Sequence, residues 1–167
     1  MSNPLPTAFL AAAIGLGGVW VLREPAPAGT SRIMQPVALK SVTVTSRSYP
    51  VCTSRLRRNC VVDGDTFYLG SDKVRIADID APETHPPRCA LEADLGDRAT
   101  TRLSQLLSAG AFELVRFDRD TDRYGRKLRV AMRDGRSIGD RLVSEGLART
   151  WTGKRQPWCP GGDDSLG

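Results

Sequence analysis

The stretch CVVDGDTFYLGSDKVRIADIDAPE, residues 60–83, decides how the chain folds. Residues 60–69 are rich in β-branched and aromatic side chains and are interrupted by Asp63-Gly64, a dipeptide with tight-turn chemistry. Residues 73–79, KVRIADI, form a second expected strand, followed by Pro82, which cannot donate to a ladder.

Downstream, Leu91, Leu95, Ala99, Leu103 and Leu106 recur at helical spacing. The pattern predicts a helix over residues 91–107, with Gly110 as its stop and Gly96 as a kink or a later start. Further strands are expected over 111–117 and 127–133. Ser137 opens a short helix, with Asp140 in the place of the capping-box acid, and Gly146 closes it. Strands and helices do not alternate as a parallel βαβ sheet requires, so the class is α+β, mainly β, with a small barrel expected. There is no internal repeat.

Upstream, residues 8–22, AFLAAAIGLGGVWVL, are apolar, and residues 5–22 carry no charge. At about 1.5 Å per residue such a helix is marginal for a hydrocarbon core of about 30 Å. The stretch suits a signal-peptide core or a short anchor. Ala26-Pro27-Ala28 has the small-x-small form of a cleavage site, although residues 1–7 lack the usual Lys or Arg. The expected organisation is a signal peptide or membrane anchor over 1–28, a linker or extension over 29–58, the folded domain over 59–153 and a tail over 154–167. The expected location is secreted or periplasmic, with residues 5–22 as the possible membrane contact.

The chain has 167 residues, 40% hydrophobic and 26% charged, which excludes wholesale disorder and suits one domain with appendages. Its formal charge of +5 favours polyanionic partners. No C-x-x-C pair exists and the single histidine, His85, stands far from any zinc-like spacing, so a structural zinc site is excluded. His85 is expected to be exposed in a Pro-rich loop.

Three segments carry chemistry: Asp63-Gly64-Asp65-Thr66; Arg75 through Glu83 (RIADIDAPE); and Asp122-Arg123-Tyr124-Gly125-Arg126. Singly, they read as a turn, a strand end and a charged hairpin loop. Together they supply what hydrolysis of a phosphodiester needs. Asp65 and Asp80 are hard oxygen donors for calcium or magnesium. Arg75 and Arg126 grip phosphate oxygens in a fork that Lys cannot match. Glu83 orients or deprotonates water. Asp118, Asp120 and Asp122 have the opening spacing of an EF-hand, but Arg123 follows where Gly is needed and no Glu closes the loop.

These segments, in this order, resemble the thermonuclease (staphylococcal nuclease-like) family. The resemblance runs from about Cys60 to Trp151 and takes in the Asp134-Gly135 turn and the stretch LVSEGLA, residues 142–148. It implies an OB-type five-stranded barrel with flanking short helices, and an endonuclease that hydrolyses DNA, RNA or both with calcium as cofactor. It implies Asp65, Asp80 and the Ala81 carbonyl as calcium ligands, where the family usually has Thr at the third position. It implies Arg75, Glu83 and Arg126 as the catalytic set, and Tyr124 as a residue near the bound nucleotide. The family's tyrosines after GLA are not matched. Trp151 stands there, able to stack on a base but expected mainly to pack in the core. Asp63 can cap its turn, and Asp78 can either support the metal ligands from behind or be structural; neither is assigned a role in the site. The chain is expected to act as a monomer. The alternative is a catalytically inactive OB-type module that only binds nucleic acid.

Cys52, Cys60, Cys89 and Cys159 allow three pairings. Outside the cytoplasm the expected pairs are Cys52–Cys60, closing a short loop, and Cys89–Cys159, pinning the tail to the flank of the site. Inside it, four buried thiols are the alternative.

Overall fold

The computed structural model describes residues 40–53 and 57–161. The expected signal peptide or anchor lies outside the described residues. Among the described residues no helix is long and apolar enough to cross a membrane.

A turn forms at Asp63-Gly64 as expected, while the left-handed backbone typical of an Asp-Gly pair is found at Asp134 and Gly135 instead. β2 (Val61–Asp63) and β3 (Thr66–Leu69) pair antiparallel around the Asp63-Gly64 turn, with a register irregularity between Val61 and Asp63. β3 pairs with β4 (Asp72–Ile76). The expected strand over 73–79 breaks at Ala77 and Asp78, and its last part becomes β5 (Ile79–Asp80), which pairs elsewhere. The break is what turns Asp80 and the loop after it towards the site.

α1 (Ala90–Ser108) is a single helix through Gly96. That glycine is needed for close approach: a Cβ there would lie 2.7 Å from Thr84 Cγ2 and 3.1 and 3.2 Å from the carbonyl oxygens of Pro82 and Glu83. Gly64 plays the same part in the Asp-Gly turn, where a Cβ would meet those of Ala99 and Ala81.

β6 (Phe112–Thr121) and β7 (Lys127–Arg133) form a long antiparallel hairpin. β6 runs past the expected end at Phe117. Its distal residues are exposed, and the register is irregular between Arg116 and Thr121, where pairing resumes with Thr121 opposite Lys127. β7 also pairs parallel with β4, and the short β8 (Arg136–Ser137) continues from it across the Asp134-Gly135 turn. α2 (Ile138–Ser144) is capped by Ser137, whose hydroxyl accepts from the Asp140 N–H at 3.2 Å. β9 (Arg149–Thr150) pairs with β5.

The main sheet runs β1-β6-β7-β4-β3-β2, with β8 on β7. It is the expected OB type, mainly β with two flanking helices, but among the described residues seven strands join the sheet where five were expected, because β1 adds to β6 and β8 to β7. Phe67, Val74, Ile76, Phe112, Leu114 and Ala131 from the strands meet Leu103 and Leu107 of α1 and Leu142 of α2 in one core.

The folded body begins earlier than the expected boundary at residue 59. β1 (Ser41–Val44) pairs with the start of β6. Tyr49 is fully buried, its ring 5.9 Å from Phe67 and 5.8 Å from Phe112. Its backbone is fastened to α1, donating to Ser108 and accepting from Ser104. The body also extends past residue 153, since Trp158 is buried. Both expected disulfides are present, Cys52–Cys60 and Cys89–Cys159, with Cα separations of 5.0 and 6.0 Å.

Candidate active site

The first segment is a self-capped turn. Asp63 accepts the Asp65 N–H at 3.1 Å, so it caps the turn. Asp65 is buried, its carboxylate accepting from the Thr66 hydroxyl at 2.7 Å and facing the Ala81 N–H at 3.4 Å. Asp80 is buried on β5, and Ala81 follows it, also buried. Arg75 on β4 reaches both acids, its Nη2 lying 3.2 Å from Asp65 Oδ2 and 3.7 Å from Asp80 Oδ1. Its guanidinium also sits 5.2 Å from the centre of the Trp151 ring.

The third segment is ordered by one carboxylate. Asp122 accepts the N–H groups of Tyr124 and Arg126, each at 2.9 Å, and holds Arg126 Nε at 2.6 Å. Gly125 adopts φ +77°, the left-handed conformation that closes the loop. Burial alone would raise the Asp122 pKa, but its hydrogen bonds from Arg126 draw it below the usual carboxylate range. Tyr124 is exposed, with Arg126 5.5 Å over its ring.

A cleft of about 540 Å³ brings together Arg75, Arg126, Tyr124, Trp151 and Arg155. A second cleft, of about 510 Å³, is lined by Glu83 with Asp63, Lys73, Arg57, His85 and again Arg126. Arg126 thus faces both, and Asp65, Asp80 and Ala81 lie buried behind Arg75. His85 is exposed, as expected. Trp151 departs from expectation: it is half-buried on the cleft wall and not part of the core. The reason is that β9 ends beside the cleft, where the Trp151 N–H donates to the Asp78 carbonyl. Asp78 itself is structural, accepting from Ser137 at the start of α2.

Asp63, Asp65 and Asp80 concentrate negative charge where little water reaches, with the half-exposed Glu83 beside them. Burial, then Asp65 and Glu83, push Asp63 up to about 7. Burial also raises Asp80, against the opposing pull of Arg155. Asp80 Oδ1 is buried without a hydrogen-bond donor. Among the described residues no three His, Cys, Asp or Glu side chains form a ready-made metal cluster. The buried carboxylates of Asp65 and Asp80 are hard oxygen donors, the chemistry that a divalent cation such as calcium takes.

Three participants were not singled out from the sequence. Glu92, fully buried in the first turn of α1, accepts from the N–H groups of Glu83 at 3.4 Å and Arg88 at 2.6 Å, and so holds the loop that carries Glu83. Arg88 and Glu92 are four residues apart, a spacing that pairs charges at a helix start. Trp158 donates to Asp80 Oδ2 at 3.3 Å, and Arg155 lies against Asp80 and Glu83. Their signal was Cys159, whose expected bridge to Cys89 already drew the tail to this flank.

The family model for staphylococcal nuclease homologues matches residues 73–166. Three curated relatives come from Bacillus subtilis (strain 168). SPbeta prophage-derived endonuclease YokF is 40% identical over 94 residues, covering 53% of this chain and 31% of the relative. Endonuclease YncB is 38% identical over 94 residues, covering 53% and 44%. Endonuclease YhcR is 37% identical over 102 residues, covering 54% and 8%. The chain spans less than half the length of each of these relatives. The matched region runs from β4 through both helices and β9 to the tail, and on that match the chain belongs to the staphylococcal nuclease homologue family.

Proposed function

We propose that this chain is a calcium-dependent endonuclease that hydrolyses phosphodiester bonds of DNA or RNA. The observation that carries the reading is the cleft lined by Arg75, Arg126, Tyr124 and Trp151, in which Arg75 is ion-paired to Asp65 and Asp80. Two guanidiniums suit the oxygens of one phosphate, and two aromatic rings suit a base. The endonuclease names of the relatives support the same chemistry.

Arg75 and Arg126 neutralise the charge that builds on the phosphoryl oxygens, so their contacts strengthen towards the transition state. Glu83, half-exposed beside Arg126, orients a water and takes its proton as the water oxygen bonds to phosphorus. The bond from phosphorus to the leaving oxygen breaks, and that oxygen is protonated from solvent. Asp65, Asp80 and the Ala81 carbonyl would hold the calcium ion, which when bound would add positive charge to offset that of the phosphoryl oxygens. The two disulfides support work in an oxidising compartment outside the cytoplasm.

The test is incubation of the full chain with single- and double-stranded DNA and with RNA, with calcium and with excess chelator. Calcium-dependent cleavage within the strand is expected. Binding without cleavage would leave only a nucleic-acid-binding module, and cleavage undiminished by chelator would remove calcium from the mechanism.

A further inference from the structure

The segment after β9 returns to the site and is tied down at several points. Arg149 lies 3.8 Å over the Trp158 ring, and its Nη1 donates to the Pro157 carbonyl at 2.9 Å. Cys159 is bridged to Cys89, the residue before α1. Between these anchors, Trp158 donates to Asp80 Oδ2, which leaves Oδ1 turned towards Arg155. Arg155 Nε stands 3.2 Å from that oxygen, and Arg155 Nη1 donates to Glu83 Oε1 at 2.6 Å. The Arg155 side chain is one-third exposed and lines the same cleft as Arg75 and Arg126.

We propose that Arg155 is a positioning residue of the nuclease site: it holds the Glu83 carboxylate beside Asp80, and the Cys89–Cys159 bridge holds Arg155 there. This rests on the nuclease reading above. Glu83 is a half-exposed side chain on a loop, and alone it samples several rotamers. A guanidinium fixed to buried Asp80 restricts it to one. The same cation offsets repulsion between Glu83 and its acidic neighbours, which would otherwise drive Glu83 away from them. The arrangement has a cost. Arg155 sits on one oxygen of a carboxylate assigned above to the divalent cation, so its charge weakens metal binding before substrate arrives.

The two effects have opposite signs, and that separates this role from the others. In Arg155→Ala, kcat on a single-stranded oligonucleotide should fall roughly 10-fold or more with KM within about threefold, the pattern of a misplaced catalytic group. Calcium, titrated calorimetrically into the full chain without nucleic acid, should bind about threefold to tenfold more tightly once the competing charge is gone. Arg155→Lys should keep calcium binding near wild type and recover part of kcat, since it restores a point charge but not the fork. Faster turnover with tighter calcium would make Arg155 a stopper and overturn the proposal. A raised KM at unchanged kcat would make it a phosphate grip and overturn it equally. Losses that track a lowered Tm and are not relieved by Lys would reduce it to a structural tie. If the wild-type chain cleaves nothing, the nuclease reading fails and this proposal falls with it. An active wild type beside an unaltered Arg155→Ala variant sinks this proposal alone.

Discussion

The buried carboxylate of Glu92 accepts the backbone N–H of Glu83, so the first turn of α1 fixes the loop that carries the proposed base. The same carboxylate takes the Arg88 N–H and the Arg88 guanidinium. Glu92→Gln keeps the shape and removes the charge from every one of these bonds. It should cost about 2–3 kcal/mol of stability, the scale of charge-assisted bonds lost in a buried place. Thermal unfolding followed by circular dichroism should show a Tm lower by about 10 °C. An unchanged Tm would show that the loop holds itself.

The acid limb of stability follows from the same residue. Burial alone would raise Glu92, but the bonds from Arg88 hold its pKa below the usual range. Glu145 is lowered chiefly by its hydrogen bond from Arg102, with Arg141 adding to it. A folded-state pKa below the unfolded value means that the unfolded chain binds more protons between the two. Stability from both groups is therefore fully present above about pH 5 and is lost as pH falls below about 4, towards the depressed folded values. Tm measured from pH 6 down to pH 3 should drop, and the drop should be shallower in Glu92→Gln. Equal slopes in the two proteins would refute the assignment.

Gly96→Ala reverses an ordinary sign. In an exposed helix interior this change gains about 1 kcal/mol. Here the new methyl meets Thr84 and the carbonyl oxygens of Pro82 and Glu83 at 2.7 to 3.2 Å, so the loop or the helix must move. The expected outcome is a net loss of about 1–3 kcal/mol, typical of overpacking, together with reduced turnover because Glu83 is displaced. A stabilised, fully active variant would show that the contact relaxes freely.

The strands over 61–76, 112–116 and 127–133, both helices and the turn and loop that carry the candidate site residues were legible because each rests on local chemistry. Asp63-Gly64 makes a turn, residues 127–133 make a strand, and Ser137 caps a helix whatever surrounds them. The residues that escaped act over distance. Nothing local marks Tyr49 as core, since its burial depends on Phe67 and Phe112 from other strands. β1 has half-polar composition and is a strand only because β6 offers an edge. Trp151 has the composition of a core residue, and only the course of β9 puts it on the cleft. Arg155 sits in a stretch of Gly, Lys, Gln and Pro that reads as a loose tail, and only the bridge at Cys159 gives it a place.

Arg126 and Asp122 allow a division between charge and aim. Arg126→Lys keeps a cation and loses the fork, and should lower kcat roughly 10²-fold, the scale for one preorganised donor. Asp122→Asn leaves Arg126 intact but weakens the 2.6 Å contact that orients it and the two N–H bonds that shape the loop. It should lower kcat by roughly 10-fold. Tm should change little in Arg126→Lys, whose side chain is partly exposed. Turnover near wild type in Arg126→Lys would remove Arg126 from the catalytic set.

The two disulfides should differ in what they stabilise. Cys89 and Cys159 are 70 residues apart, and closing so long a loop in the unfolded chain is worth roughly 4 kcal/mol in the chain-entropy model. Cys52 and Cys60 are 8 apart, so the same model gives a smaller figure, and the backbone there is also held by the Cys52 N–H on the Val61 carbonyl and the Val61 N–H on the Pro50 carbonyl. Cys89→Ser/Cys159→Ser should therefore lower Tm more than Cys52→Ser/Cys60→Ser. It should also cut turnover, because the segment carrying Trp158 and Arg155 loses its covalent anchor and is left with non-covalent ties to Arg149, Asp80 and Glu83. The second pair should leave turnover within about threefold, since Trp158, Arg155 and Arg75, which hold Asp80 and Glu83, all lie outside its loop. Thermal melts and steady-state rates of both double variants, each beside the reduced wild type, decide the matter. Equal Tm losses, or full activity without the Cys89–Cys159 bridge, would contradict the prediction.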